Sequence, residues 1–397
     1  MKKLSLIFLL LSTISFGQDS LRIMFHNLLN FPSTNASRTS YYRTVLQYAK
    51  PDVYVVNELD NETGADLILN QSLNVFGTSH YQRAQFIDGV DTDNCLYYNS
   101  DKLGLVDQMQ LATSLRDISV YQMYYKAPNL TAVTDTIYMW FFSCHLKAGV
   151  NDYQQRNQEA LTLKYYLNSI ADHVENVFVG GDFNFYSGYE SGCQSMLNSG
   201  DVPLIDPVNA IGNWSGDYNF ADWHTQSTRN SSIGGGTGGG LDDRFDLIFV
   251  SEDVMNNQNG INYLSNTYKP LGQDGNHFND AVNAGSNSSV PDSVANALYN
   301  GSDHLPIMMD IVFDETATIP VQSNDYLQAY YSNIENTINF TTSLNQFDFE
   351  LYDLSGRKVM NVNADGTAVQ VPNHLKGMFV WRVKSDKGIL SDRIFIR

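Results

Sequence analysis

The sequence predicts a layered α/β domain followed by a small all-β unit, and three observations carry that expectation. Short apolar runs rich in β-branched and aromatic residues recur from Leu21 to Phe313. Two longer segments between them repeat their apolar positions at three and four residues, the helical spacing. Beyond a polar connector at roughly Asp314 to Asn324, only short strand-like runs separated by turn residues remain.

In chain order the strand candidates are LRIMFHN (21–27), DVYVVNE (52–58), NCLYYNS (94–100), TIYMWFFSCHL (136–146), NVFVGGDFN (176–184), RFDLIFVS (244–251) and HLPIMMDIVF (304–313). The helical segments are TSYYRTVLQYAK (39–50) and DYQQRNQEALTLKYYLNSIADH (152–173). The Gly-rich stretch IGGGTGGG (233–240) reads as a flexible loop, because it lacks the Gly-Lys-Ser/Thr ending of a phosphate-cradling loop. In the last region FDFELYDL, GRKVMNV, GMFVWRVKS and DRIFIR alternate with the turn signals DLSG and NADG, the pattern of a small sandwich.

Composition bounds the function. With 397 residues, 43% of them apolar, the chain can bury a large core, and 17% charged residues are too few for a disordered acidic tail. The balance of 24 Lys and Arg against 43 Asp and Glu gives a formal charge of −19, which opposes non-specific adhesion to nucleic acid or anionic lipid. A phosphate substrate would have to be received by local charge or by a metal. The first 18 residues, MKKLSLIFLLLSTISFGQ, order two lysines, an apolar block and small residues as a secretory signal peptide does, with cleavage near Gly17. The mature protein is therefore expected to be secreted or held at the cell surface, and no later stretch has the length of a membrane helix. The three cysteines, Cys95, Cys144 and Cys193, allow one disulfide and a free thiol, but their spacing matches no metal site, and they read as core residues.

Several apolar runs carry a polar residue at or beside one end. Asn27 closes the first, Glu58 the second and His145 the fourth; Asp182 and Asn184 close the fifth, Asp246 opens the sixth, and Asp303 with His304 precede the seventh. Any one of them would serve as a turn residue. Together they form a set of carboxylates, carboxamides and imidazoles suited to a hard divalent cation with proton-transfer groups beside it. Zinc fits less well, because the eight histidines are scattered and form no HExxH pair.

The motifs NELD at Glu58, SCHLK at His145, GGDFNFY at Asp182, RFDLIFVS at Asp246 and SDHLP at Asp303 resemble, in order, those of the endonuclease/exonuclease/phosphatase superfamily. The resemblance spans residues 19–316 and implies a four-layered α/β sandwich of two mixed β-sheets flanked by helices. It implies Glu58 as principal magnesium ligand, calcium or manganese being alternatives, with Asn27 beside it and Asp303 on the metal side. By the same resemblance Asp182 and Asn184 position or deprotonate the attacking water. His145 and His304 face the phosphate, and Asp246 orients His304. No glutamate partner for His145 is recognisable between His80 and Asp101. Arg116, Trp223 and Thr225 are candidate substrate contacts. Arg116, Lys147, Arg156, Arg229 and Arg244 lie near motif segments and could form a local basic patch, while His224 and His277 read as surface residues.

Residues 317–397, with LYDLSGRKV, LKGMFV and a basic terminal residue, resemble the C-terminal sorting domain of type IX secretion substrates from Bacteroidetes. That resemblance implies the type IX machinery as a partner and export through the outer membrane. The activity expected is that of a secreted metal-dependent phosphodiesterase cutting extracellular DNA, and RNA as an alternative, by weak binding indifferent to sequence. The alternatives are a sphingomyelinase-like or other phosphoesterase, and, in another class, an adhesin that has kept the fold without the chemistry.

Overall fold

The computed structural model describes residues 19–126, 136–172, 174–313, 329–332, 336–353, 357–385 and 388–396. The leader and the expected connector lie outside them. The strands of the first unit are β1 (Ser20–Phe31), β2 (Val53–Leu59), β3 (Tyr81–Arg83), β4 (Asp93–Asn99), β5 (Leu103–Leu111), β6 (Ile118–Tyr125), β7 (Tyr138–His145), β8 (Val177–Asp182), β9 (Leu204–Ile205), β10 (Asp246–Ser251), β11 (Ile261–Tyr263), β12 (Lys269–Pro270) and β13 (Ile307–Phe313). Its helices are α1 (Thr39–Ala49), α2 (Glu62–Ile68), α3 (Tyr153–Ser169), α4 (Ser191–Asn198), α5 (Glu252–Met255) and α6 (Asp292–Gly301).

Two sheets form. One runs β11-β13-β1-β2-β4-β3 with β12 also on β13, and the other runs β5-β6-β7-β8-β10-β9. Both are mixed: β1 and β2 run parallel, as do β7 and β8, and their other neighbours pair antiparallel. Strand side chains alternate between faces, and here both faces of both sheets are buried. Ile23, Phe25, Val55, Phe141, Phe178, Ile248 and Met309 point into one shared apolar cluster between the sheets. The opposite face of the first sheet, with Met24, Tyr54, Val56 and Tyr97, is covered by Val45 and Leu46 of α1, Ala65 of α2 and Leu298 of α6. The far face of the second, with Phe142, Val179 and Phe249, is covered by Ala160, Leu163 and Leu167 of α3 and Met196 of α4. The order helix, sheet, sheet, helix is the four-layered sandwich expected.

The local causes are visible at the helix ends. Asn61 caps α2 by accepting the Gly64 N–H at 3.0 Å, and α1 stops where Lys50 turns left-handed at φ 49°. Each of the seven strand-like runs contains a strand. The sequence reading passed over β5 and β6, where polar residues such as Asp107, Gln108 and Gln110 interrupt the apolar run at the sheet edge. Among the described residues no helix is long and apolar enough to cross a membrane.

The last unit is described by itself. Strands β14 (Ala329–Ser332), β15 (Thr337–Tyr352), β16 (Lys358–Gln370), β17 (Gly377–Ser385) and β18 (Gly388–Ile396) make one antiparallel sheet around a cluster that includes Phe340, Phe349, Leu351, Trp381 and Val383. On its other face Glu350 is ringed by Lys358, Arg382 and Lys384.

The two sheets of the first unit meet closely at Gly180, where a Cβ would lie 2.7 Å from the ring of Phe25. Gly180→Val should therefore force the sheets apart and lower the unfolding free energy in urea by about 1–3 kcal/mol, the usual cost of overpacking. Unchanged stability would contradict this packing.

Candidate functional site

Register assembles the site. The parallel pairing of β7 with β8 sets His145 opposite Asp182, and the antiparallel pairing of β8 with β10 sets Asp246 on the other side of Asp182. The three side chains form one rung, on the face that carries Phe141, Phe178 and Ile248 further down the same strands. In the facing sheet the pairing of β1 with β2 sets Asn27 beside Asn57, again on the inward face. The apolar core between the sheets thus ends in a polar layer contributed by both. Gly181 permits the contact: at φ 129° it is in a region that suits glycine, and a Cβ there would meet the Cys144 carbonyl oxygen and Asn57 Oδ1.

Hydrogen bonds knit the layer together. Asn27 Nδ2 donates to Glu58 Oε1 at 2.9 Å and to Asp182 Oδ2 at 3.0 Å, and Asn30 N–H donates to Glu58 Oε2 at 2.8 Å. Asp182 Oδ1 accepts the Asn184 N–H at 3.0 Å, while the Asn184 carboxamide donates to the Leu146 carbonyl. His145 Nε2 lies 3.7 Å from Glu58 Oε1 and 3.5 Å from Asp182 Oδ2. His304 Nδ1 is 2.7 Å from Asp246 Oδ2, and its Nε2 is 3.7 Å from Asp182 Oδ2. Asp303 Oδ2 accepts the Thr237 N–H at 2.6 Å, which docks the Gly-rich loop against the site.

Burial and mutual charge decide the protonation states. Burial pushes His304 down, but the carboxylates of Asp246, Asp182 and Asp303 outweigh it and hold the imidazole well above its ordinary value. His145 goes the opposite way: burial, with the charges of Arg116 and His304, holds it well below and keeps it neutral. Burial raises Glu58, and raises Asp182 to about 7 although His304 opposes the shift. One imidazolium, one neutral imidazole and a carboxyl group poised near neutrality therefore share one pocket.

The donor set fits a divalent cation. Single ligand atoms of Glu58, His145 and Asp182 lie within 4.8 Å of one another. Asp303 Oδ1 and Asp246 Oδ1 are buried carboxylate oxygens without a hydrogen-bond donor, a costly state that a cation would relieve.

The eight residues expected at the strand ends, Asn27, Glu58, His145, Asp182, Asn184, Asp246, Asp303 and His304, are linked through these contacts. The expected substrate contacts fare differently. Thr225 is fully buried, and its Oγ1 accepts the N–H groups of Phe245 and Asp246, so it fixes the start of β10. Trp223 packs against Tyr268 and the Arg244 guanidinium. Arg116 pairs with Asp91 at 2.9 Å and is near enough to depress His145. The basic patch does not form: Arg156 and Arg244 are buried on Glu190 and Asp206, and Arg229 is buried on the carbonyls of Tyr299 and Ile233. His224 and His277, expected at the surface, are buried too, the first on the Trp214 carbonyl and the second against Asp274.

Sequence reasoning passed over two groups. Gln226 sits 2.6 Å from His304 Nε2. Asn57 accepts the Asp182 N–H and donates to Asn94 and Ser143 behind the rung. The only available signal was proximity, Gln226 to Thr225 and Asn57 to Glu58. Asn94, at the start of β4, spends its carboxamide on this network, and His145 Nδ1 is left without a partner.

No protein-family model matches the sequence, and no curated protein matches it. Solved structures do. TDP2 of D. rerio, complexed with single strand DNA product, superposes with a TM-score of 0.50 at 15% identity, over 74% of this chain and 98% of that one. An endonuclease/exonuclease/phosphatase family protein from Bacteroides thetaiotaomicron gives 0.47 at 16% identity, over 76% and 98%. The human Nocturnin catalytic domain with bound sulfate anion gives 0.46 at 15%, over 75% and 98%. At these identities the likeness is one of fold.

The raised carboxyl of Asp182 has a measurable sign. A carboxyl lifted from 3.8 to about 7 in the folded state favours folding while protonated, and that contribution fades as pH rises towards about 7. In chelator, wild-type Tm should therefore fall relative to Asp182→Asn between about pH 4 and pH 7 and run level with it above that, the uncharged carboxamide being blind to this titration. Parallel Tm curves for the two proteins would contradict the assignment.

Proposed function

We propose that this chain is a divalent-metal-dependent phosphoesterase, and specifically a phosphodiesterase acting on nucleic acid, with DNA preferred. The observation that carries the reading is the convergence of Glu58, His145 and Asp182 on one ligand-sized space, with the His304 imidazolium 3.7 Å from the shared carboxylate. A phosphate ester resists attack because it is anionic, and its hydrolysis concentrates further charge on the phosphoryl oxygens. Glu58, His145 and Asp182 would hold the ion, with Asp303 and Asn27 beside them; magnesium, calcium and manganese all suit mainly oxygen donors. When bound, such an ion supplies positive charge at the phosphoryl oxygen and acidifies water.

The chain's own groups divide the remaining work. His304, charged and oriented by Asp246, donates from Nε2 to the phosphoryl group. Two donors cannot face each other at 2.6 Å, so before substrate binds Gln226 offers its carboxamide oxygen to the single Nε2–H, and a phosphoryl oxygen takes its place. Asp182 presents a carboxylate at the centre of the rung that can accept the proton of the attacking water. Asn184 is fixed by its bonds to Asp182 and Leu146, which sets the wall of the pocket at that corner. The apolar core behind the rung excludes water and strengthens each of these interactions.

TDP2, whose fold this chain shares, has been captured with a single strand DNA product, which supports a nucleic-acid substrate. A second reading is a phosphomonoesterase or other enzyme of small phosphate esters, and the burial of Arg156, Arg229 and Arg244 favours it, since a long polyanion needs exposed cations. Export completes the proposal: the leader at residues 1–18 and the sorting-domain motifs of the last unit fit a protein passed across the outer membrane by the type IX machinery.

Full-length protein with plasmid DNA, RNA, sphingomyelin and p-nitrophenyl phosphate, each with magnesium or chelator, tests the reading. DNA should be cut with magnesium only, and His304→Ala should lose at least ~100-fold, the lower range for removal of an acid–base or charge-stabilising group. Cleavage that persists in chelator overturns the mechanism, and turnover of the monoester alone selects the second reading. Asp246 is the largest influence raising His304, so Asp246→Asn should move the alkaline limb of the rate profile to lower pH; an unmoved limb would refute the pairing. N-terminal sequencing of protein from culture medium should begin near Gln18.

A further inference from the structure

Four arginines are almost wholly buried in the first unit: Arg156, Arg229 and Arg244, and Arg38 at the N-terminal cap of α1. Arg156 and Arg244 each hold a carboxylate of their own. Arg38 has none within ion-pair distance among the described residues. Its guanidinium is spent on neutral acceptors: Nη1 donates to the Leu28 carbonyl at 2.7 Å, the Gly301 carbonyl at 2.8 Å and Tyr42 Oη at 2.8 Å. Nη2 donates to the carbonyls of Leu29 at 2.6 Å and Asn30 at 3.2 Å and to Thr34 Oγ1 at 2.7 Å.

The carbonyl acceptors belong to two segments beside the proposed ion, the one that follows Asn27 and the one that precedes Asp303. Leu29 and Asn30 both stand at positive φ, 52° and 45°, where a non-glycine residue is strained and must be held. From there the Leu29 N–H fixes Asn27 Oδ1 at 2.9 Å and the Asn30 N–H fixes Glu58 Oε2 at 2.8 Å. Gly301 leads directly into Asp303 and His304. One planar fork thus joins the bulge behind Glu58 to the segment carrying Asp303. Burying a cation without a counter-ion costs several kcal/mol unless its hydrogen bonds are complete. Tyr42 Oη adds bonds of its own to Leu28 and Gly301, so the clamp is doubled.

We propose that Arg38 is a positioning residue for the cation site: it holds the bulge of β1 at Leu28–Asn30, where Leu29 and Asn30 turn left-handed, and with it Glu58 and Asn27, against the Asp303 segment. This rests on the metal-dependent reading above. Geometry and charge predict opposite signs. If the guanidinium acted only as a positive charge, deleting it would tighten binding of a nearby divalent cation; as a clamp, its loss must weaken binding.

The test is Mn2+ binding to the full chain, followed by electron paramagnetic resonance. Arg38→Met and Arg38→Lys should both raise the Kd at least tenfold, the lysine failing because a point charge cannot replace the fork. Thr34→Val, at an exposed position, removes one acceptor and should raise the Kd about threefold even if both Arg38 variants fail to fold by circular dichroism. Tighter or unchanged binding in folded variants overturns the clamp while leaving the phosphoesterase reading intact. A wild-type protein that binds no Mn2+ removes the premise and overturns both.

Discussion

The whole site hangs on one stretch of strand pairing. Asp182 stands between His145 and Asp246 because β8 is parallel to one neighbour and antiparallel to the other, with all three residues at the same level. A slip of one residue in either pairing would turn a side chain to the helix-covered face. Register is protected by the apolar residues of the same face, since Phe141, Phe178 and Ile248 would lose their burial by the same slip. The stability of the core and the geometry of the polar layer are therefore one constraint. Burial keeps His145 neutral, whereas the carboxylates of Asp246, Asp182 and Asp303 overcome it and keep His304 charged, two imidazoles at one end of one core.

Charge is handled locally in a protein whose overall balance is −19. Arg156 with Glu190 and Arg244 with Asp206 neutralise each other inside the structure and contribute nothing to long-range attraction. The acidic groups of the pocket repel a phosphate until a cation offsets them. Selectivity for phosphate would then come from the ion and His304.

Much of the fold could be read directly. Seven strands announced themselves because a strand buried on both faces is a continuous apolar run, and the motif residues were visible as polar interruptions at the ends of those runs. The edge strand β5 was not visible, because its polar positions Asp107, Gln108 and Gln110 dilute the apolar signal, and in its neighbour β6 Ser119 and Gln122 break the run. Arginine partners were hidden by distance: Glu190 and Asp206 lie 34 and 38 residues from the guanidiniums they hold. Before folding, such arginines look the same as surface ones. Thr225 looked like a substrate contact for the same reason, its backbone partners being 20 and 21 residues away. The missing carboxylate behind His145 was noticed in the sequence. Only the coordinates explain it, by committing Asn94 to Asn57 and the serines.

Cys95, Cys144 and Cys193 are all unpaired and sealed within the packing, the first under the helices of one sheet and the other two under those of the second. Burial raises Cys95 and Cys193 to about 12 and Cys144 higher still, so thiolate is scarce. Nothing among the described residues relies on a covalent cross-link, and the architecture is consequently indifferent to oxidants or reductants around it. A polypeptide of this kind needs no disulfide-forming catalyst to reach its fold, and once folded it keeps its three thiols out of reach of exchange.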